Sequence, residues 1–382
     1  MRTARRSWTC AFAALCLVFG ASACTTGELS TREGAGGADS GPGADSGPGV
    51  DGGDVDSGPG VDSGPGVDAG PSCVAGERLC GRPATCVRTA TDPANCGVCG
   101  RVCPMGATCS GGMCVGGTGC ASAPGGVDAD TAAAYDLEND TRLAMGAPCA
   151  DMIPEINTSA QRHCDYYAAN RGDSMCIANA HGEVMGCMLF VANSFADRMG
   201  AAGYTGSPSS EDMAFVDNGA AAVQMWIDSV WHRTPVLSPW TRHIGYGHAS
   251  GCDTMDFGVG PSTPATLVAT YPYPGQTGLP TSFDGRREGP MPPAPSTGWP
   301  SGYPVTIFLR GSVTTHSLTV DGSATELEHV WIAPGTPESL GLLRNEFVMY
   351  ANDPLSPGTR YRVRIAGSNG GPVDLDFIFT TR

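Results

Sequence analysis

A chain of 382 residues has room for two or three domains, and its 17 cysteines point to an oxidising compartment. A formal net charge of −16 argues against nucleic acid or an anionic lipid surface as partner, because both are held by basic patches. Seven of the Asp residues fall within 38–71, so the folded part is less acidic than the total, and no Lys/Arg cluster lies outside the leader.

Residues 1–23 read as a secretory signal. Arg2, Arg5 and Arg6 precede an apolar stretch at 10–20, then Ala21, Ser22 and Ala23 lead to Cys24. The stretch is shorter than the roughly 20 residues a bilayer span requires. Small residues abutting a Cys resemble a bacterial lipobox, which implies that Cys24 is acylated and tethers the chain to a membrane. Burial of about 0.8 kcal/mol per CH₂ makes such an anchor strong. The expected location is the outer membrane or cell surface; ordinary cleavage followed by secretion is the alternative.

Residues 24–72 read as a disordered linker. A near-hexad, Asp-Ser-Gly-Pro-Gly-Val, places Asp at 39, 45, 51, 56, 62 and 68, and nothing in it can bury a core. The next segment, 73–118, is a cysteine-rich module. It carries eight Cys, among them Cys96-x-x-Cys99, but no His and few large apolar residues, so disulfides are expected rather than zinc. It resembles a cysteine-rich spacer of bacterial surface proteins. Six more Cys lie between Cys120 and Cys252, again an even number suited to disulfides.

Residues 126–260 have the texture of an α+β domain. Asp130 is the expected cap of a first helix carrying Ala134, Leu137, Thr141 and Ala144. A second is expected from near Thr158, a third after Asn193, and a fourth after Asn218 with Ala222, Trp226 and Val230 on one face. Extended pieces are expected at 243–247 and 252–259. A Pro-rich connector over 261–300 leads to a β-sandwich over 301–382, where Tyr361, Val363 and Ile365 alternate with arginines and Leu375, Phe377 and Phe379 form another row. The stretch Leu355-x-Pro357-Gly358-Thr359-x-Tyr361 resembles the penultimate-strand entry of bacterial immunoglobulin-like domains, which implies that the Tyr hydroxyl ties back to a loop.

Five short motifs run in order through the α+β segment: Leu137-x-Asn139-x-x-Arg142, Ala160-x-x-His163, Phe195-x-Asp197-Arg198 through Tyr204, Ser210-Glu211-Asp212, and Trp226-x-x-Ser229-x-x-His232-Arg233. Together they resemble the bacterial branch of the CAP superfamily (SCP, antigen 5 and pathogenesis-related proteins). The resemblance implies an α-β-α sandwich whose central cleft is lined by His181, Glu211 and His232, with room for a divalent, zinc-like ion. His163 is expected on a helix face, and His248 is the reserve candidate for the cleft.

Chemistry is less legible. No Gly-x-Ser-x-Gly, His-Glu-x-x-His or phosphate-cradling loop is present. Ser229 would share a helical face with His232, but a Ser inside a helix lacks oxyanion donors. The reading therefore leans away from an enzyme, toward a surface module that binds a small apolar ligand, a glycan or a protein partner. A metal-dependent hydrolase is the alternative.

Overall fold

The computed structural model describes residues 73–80, 85–97, 103, 107–115, 119–216, 218–260, 263 and 265–382. All of them belong to the unit Gly66–Arg382. The leader, Cys24 and the Asp-repeat linker lie outside the described residues.

Helix α1, Ala129–Ala144, is capped by Asp128 rather than Asp130: its carboxylate accepts the Asp130 and Thr131 N–H groups at 2.9 and 3.0 Å. Helix α2, Pro154–Ala169, starts four residues before the expected Thr158, because proline fits the first helical turn, where no N–H is needed. Helix α3, Phe195–Ala201, is capped by Ser194, and α4, Gly219–Ile227, by Asn218, whose side chain accepts from Ala221 N–H at 2.8 Å. Helix α4 stops before Val230; a turn leads into α5, Arg233–Leu237.

These helices pack on a four-stranded mixed sheet in the order Asp151–Met152, Thr241–Ala249, Cys252–Val259, Ser207–Ala214, with only the first pair parallel. Along Thr241–Ala249 the two faces are used differently. Gly245 and Gly247 lack side chains because the α2 backbone lies directly against them. The alternate residues Ile244 and Tyr246 join a core with Ala134 and Tyr135 of α1 and Val223 and Trp226 of α4. Disulfides Cys120–Cys149, Cys164–Cys252 and Cys176–Cys187 staple this region.

One buried pair in α1 has a measurable consequence. Glu138 lies 3.6 Å from Arg142, yet Arg142 spends its hydrogen bonds on the carbonyls of Pro148, Val236 and Thr241. Burial therefore lifts the Glu138 carboxyl to about 8, against the lowering effect of Arg142. Its folded value exceeds the ordinary 4.5, so the stability it contributes is complete below that pH and is lost as pH rises through about 8. Glu138→Gln is expected to match wild type near pH 4.5 and below and to exceed it by about 4 kcal/mol at pH 9 in urea unfolding. Equal stabilities at pH 9 would contradict this.

The two C-terminal sheets are built of antiparallel strand pairs. One sheet runs His329–Ile332, Glu346–Ala351, Val305–Leu309, Val268–Tyr271; the other runs Ser312–Val320, Arg360–Ser368, Pro372–Thr380. The apolar rows at 361–365 and 375–379 face a core shared with Val305, Ile307 and Met349. Ser356 N–H donates to the Tyr361 hydroxyl at 2.7 Å, the tie-back anticipated for this tyrosine.

Two features depart from the expected layout. The strand Val268–Tyr271 comes from the stretch read as connector. The Pro-rich stretch itself is packed down: Ser282–Phe283 pairs with Ser301–Gly302, Phe283 and Trp299 meet edge to face, and the Trp231 indole N–H donates to Pro290 O at 2.7 Å. One apolar core runs through both the α+β and the β regions.

The cysteine-rich segment holds Cys73–Cys86 and Cys96–Cys109, and Cys80 and Cys103 are also disulfide-bonded. Its Arg78 meets Asp374 and Asp376 on Pro372–Thr380.

Candidate functional site

A buried polar cluster gathers at the loop following α2. His163, inside α2, places Nδ1 3.0 Å from Glu183 Oε1 and Nε2 2.9 Å from the Ala180 carbonyl. Both ring nitrogens face acceptors, a geometry that the doubly protonated ring satisfies. Arg198 of α3 is fully buried: it forms a close ion pair with Glu211, lies 3.6 Å from Glu183, and donates to His181 O at 3.2 Å. Glu183 also accepts the Val191 and Ala192 N–H groups, which knots the 182–193 loop onto α2. Arg198 and His163 thus supply donors to two carboxylates held out of water.

Glu211 is the hinge of this cluster. Burial pushes its carboxyl upward, but the His181 hydrogen bond and the charges of His163 and Arg198 more than offset that and hold it below the ordinary range. Its cross-strand partner Asp256 goes the other way: burial, then the Glu211 charge, raises it well above the usual value. Because Glu211 is ionised, His181 Nδ1–H is the donor in their 3.0 Å bond. The His181 side chain is half exposed.

His232 lies in the turn between α4 and α5, and its carboxylate partner comes from far along the chain. Glu288 accepts His232 Nδ1–H at 3.2 Å together with the backbone N–H groups of Val230, Trp231 and His232. Burial raises the Glu288 carboxyl, and the His232 bond and charge plus the N–H groups of Val230 and Trp231 overcome it, leaving the group below its ordinary range. Next to it, Arg233 is fully buried. It donates to Ile227 O, Pro304 O and Thr306 Oγ1, and its guanidinium stacks over Tyr271 at 4.8 Å and Tyr303 at 5.1 Å.

His181 and His232 line one cavity of about 900 Å³. Its α+β wall includes Met213, Phe215, Val216, Met225 and Trp226, and its other wall is the 280–303 stretch, including Phe283, Arg286, Arg287 and Tyr303. Phe215, Val216 and Met225 remain 50%, 43% and 44% exposed. The carboxylates on the cavity wall are already engaged: Asp228 with the Tyr303 hydroxyl at 2.6 Å, Asp284 with Arg286 at 2.8 Å, and Glu288 as above.

Of the three cleft residues expected from sequence, His181 and Glu211 touch; His232 lines the same cavity but pairs with Glu288, which sequence reasoning missed along with Glu183. The set does not fit one ion held by all three. Both Glu211 oxygens are occupied by His181 and Arg198, and no group of three His, Cys, Asp or Glu is spaced for a metal among the described residues. His248 is elsewhere, 3.2 Å from Asp128 at the start of α1. His243 accepts or donates to Tyr204 at 3.0 Å. Ser229 donates to Trp226 O at 2.9 Å rather than to His232, and since α4 ends at Ile227 the two share no helical face.

No family model and no curated protein matches this chain. Among solved structures, an extracellular protein containing an SCP domain from Bacillus anthracis matches at 21% identity with a TM-score of 0.29. That match covers 33% of this chain and 39% of the other, well under half the length of either.

Proposed function

We propose that this chain is an exported, lipid-anchored surface protein whose CAP-like region binds a small apolar ligand in a cleft walled on its other side by the Pro-rich 280–303 stretch. The observation that carries the reading is the cavity itself. About 900 Å³ is the size of a small-molecule site, and Phe215, Val216 and Met225 are each about half exposed on its wall. The two imidazoles offer polar contacts at the edge of this apolar surface, with Nδ1 of each fixed by a carboxylate. The disulfides support an oxidising, exported setting. Lipid at Cys24 supplies the membrane contact, and mass spectrometry of the mature N-terminus tests it. The metal-dependent hydrolase alternative draws no support from the donor set around Glu211.

Titration with the fluorescent apolar probe anilinonaphthalene sulfonate tests the cleft. Wild type is expected to bind it, and Met225→Asp, a change at an exposed helix position, is expected to weaken binding about tenfold with an unaltered far-UV spectrum. Equal affinities for the two proteins would overturn the reading.

A further inference from the structure

We propose that His316 and His329, at the seam between the two C-terminal sheets, form a site for a divalent first-row transition ion of the copper or zinc class. The site is independent of the cleft. His316 lies on Ser312–Val320 and His329 on His329–Ile332, each the outermost strand of a different sheet. Their nitrogens face one another across the seam, His316 Nδ1 to His329 Nε2, at 2.8 Å.

Each ring has a defined neighbour on its far side. His329 Nδ1–H donates to Leu327 O at 2.8 Å, so its Nε2 carries the lone pair. A backbone carbonyl on the far nitrogen is also the contact that orients metal-binding histidines. His316 stacks flat on Trp331, with ring centres 4.0 Å apart and planes 9° apart. Glu326, 3.8 Å from His329 Nδ1, adds negative charge beside the pair.

The spacing suits an ion in place of the shared proton. Two imidazoles bound tetrahedrally at about 2.0–2.1 Å have nitrogens about 3.3 Å apart and ring centres roughly 5 Å apart. The ring centres here are 5.0 Å apart with the nitrogens aimed at each other at 2.8 Å, so taking the ion requires both rings to tilt toward a common point. Pivoting the rings opens the nitrogen gap without moving the strands, and His316 takes the tautomer with its proton on Nε2. Water fills the other positions. For such a ligand pair Cu²⁺ binds more tightly than Zn²⁺.

The test is a Cu²⁺ titration of the full chain, followed by tryptophan fluorescence, since a copper ion here quenches the stacked Trp331. One equivalent is expected to bind more tightly than about 50 µM, to persist in His181→Gln/His232→Gln, and to weaken at least tenfold in His316→Ala and in His329→Gln. No equivalent tighter than that, or unchanged affinity in His316→Ala, overturns the proposal. Copper paramagnetic resonance on the unmutated protein reports independently of variant folding. Coupling to two imidazole nitrogens supports the site; no nitrogen coupling overturns it.

Discussion

Replacing Glu288 by alanine is expected to lower the stability of the folded unit by about 3 kcal/mol or more, a large effect for a side chain from a Pro-rich stretch. The carboxylate satisfies three backbone N–H groups at the turn between α4 and α5, and it holds His232 as well. Removing it leaves donors of buried Val230 and Trp231 without partners, at roughly 1–3 kcal/mol each. Glu288→Gln keeps an acceptor oxygen and is expected to lose less. The two variants also differ from wild type in their acid response. The Glu288 carboxyl is held below its ordinary value of 4.5, so its contribution is present above that value and is lost as pH falls through the folded one. Wild type should therefore lose stability relative to Glu288→Gln as the solution is acidified below about pH 5. Urea midpoints measured between pH 3 and pH 7 decide the point; parallel curves would show that the charge is not engaged.

Arg233→Ala is the second large effect. The guanidinium is fully buried, bonds carbonyls on both the α4 side and the β side, and stacks on Tyr271 and Tyr303. Truncation is expected to cost about 3–5 kcal/mol. Arg233→Lys keeps the charge but neither the planar stack nor the fork, and should recover less than half of the loss. Because this residue joins the α+β layer to the C-terminal sheets, its loss should also split one unfolding transition into two when fluorescence and circular dichroism are compared. A single coincident transition, with a midpoint near that of wild type, would refute this role.

The sequence was readable where local rules govern. Asn218 and the α3 boundary followed from capping chemistry, and the paired alternation at 361–365 and 375–379 followed from strand periodicity. Helix α2 was expected from near Thr158 and begins at Pro154, because a proline can open a helix. His181 lies outside all five motifs and was expected near Glu211 only as an implication of the resemblance; the two meet at 3.0 Å. Glu183 and Glu288 were invisible for a physical reason: each sits in an aperiodic loop, and the distance from Glu288 to its partners, 56–58 residues along the chain, leaves no spacing to read. Arg233 stood in a noticed motif, yet its role depends on Pro304 and Thr306, which lie beyond the motif's reach.

Hydrogen exchange at the amides of Val230, Trp231 and His232 tests most directly whether the 280–303 stretch is a fixed wall of the cleft. Docked as described, these three protons should exchange at least a hundredfold more slowly than an open turn and accelerate together in Glu288→Ala. Exchange at open-turn rates in the unmutated protein would mean that the stretch is a loose connector after all, and that the cavity has no second wall.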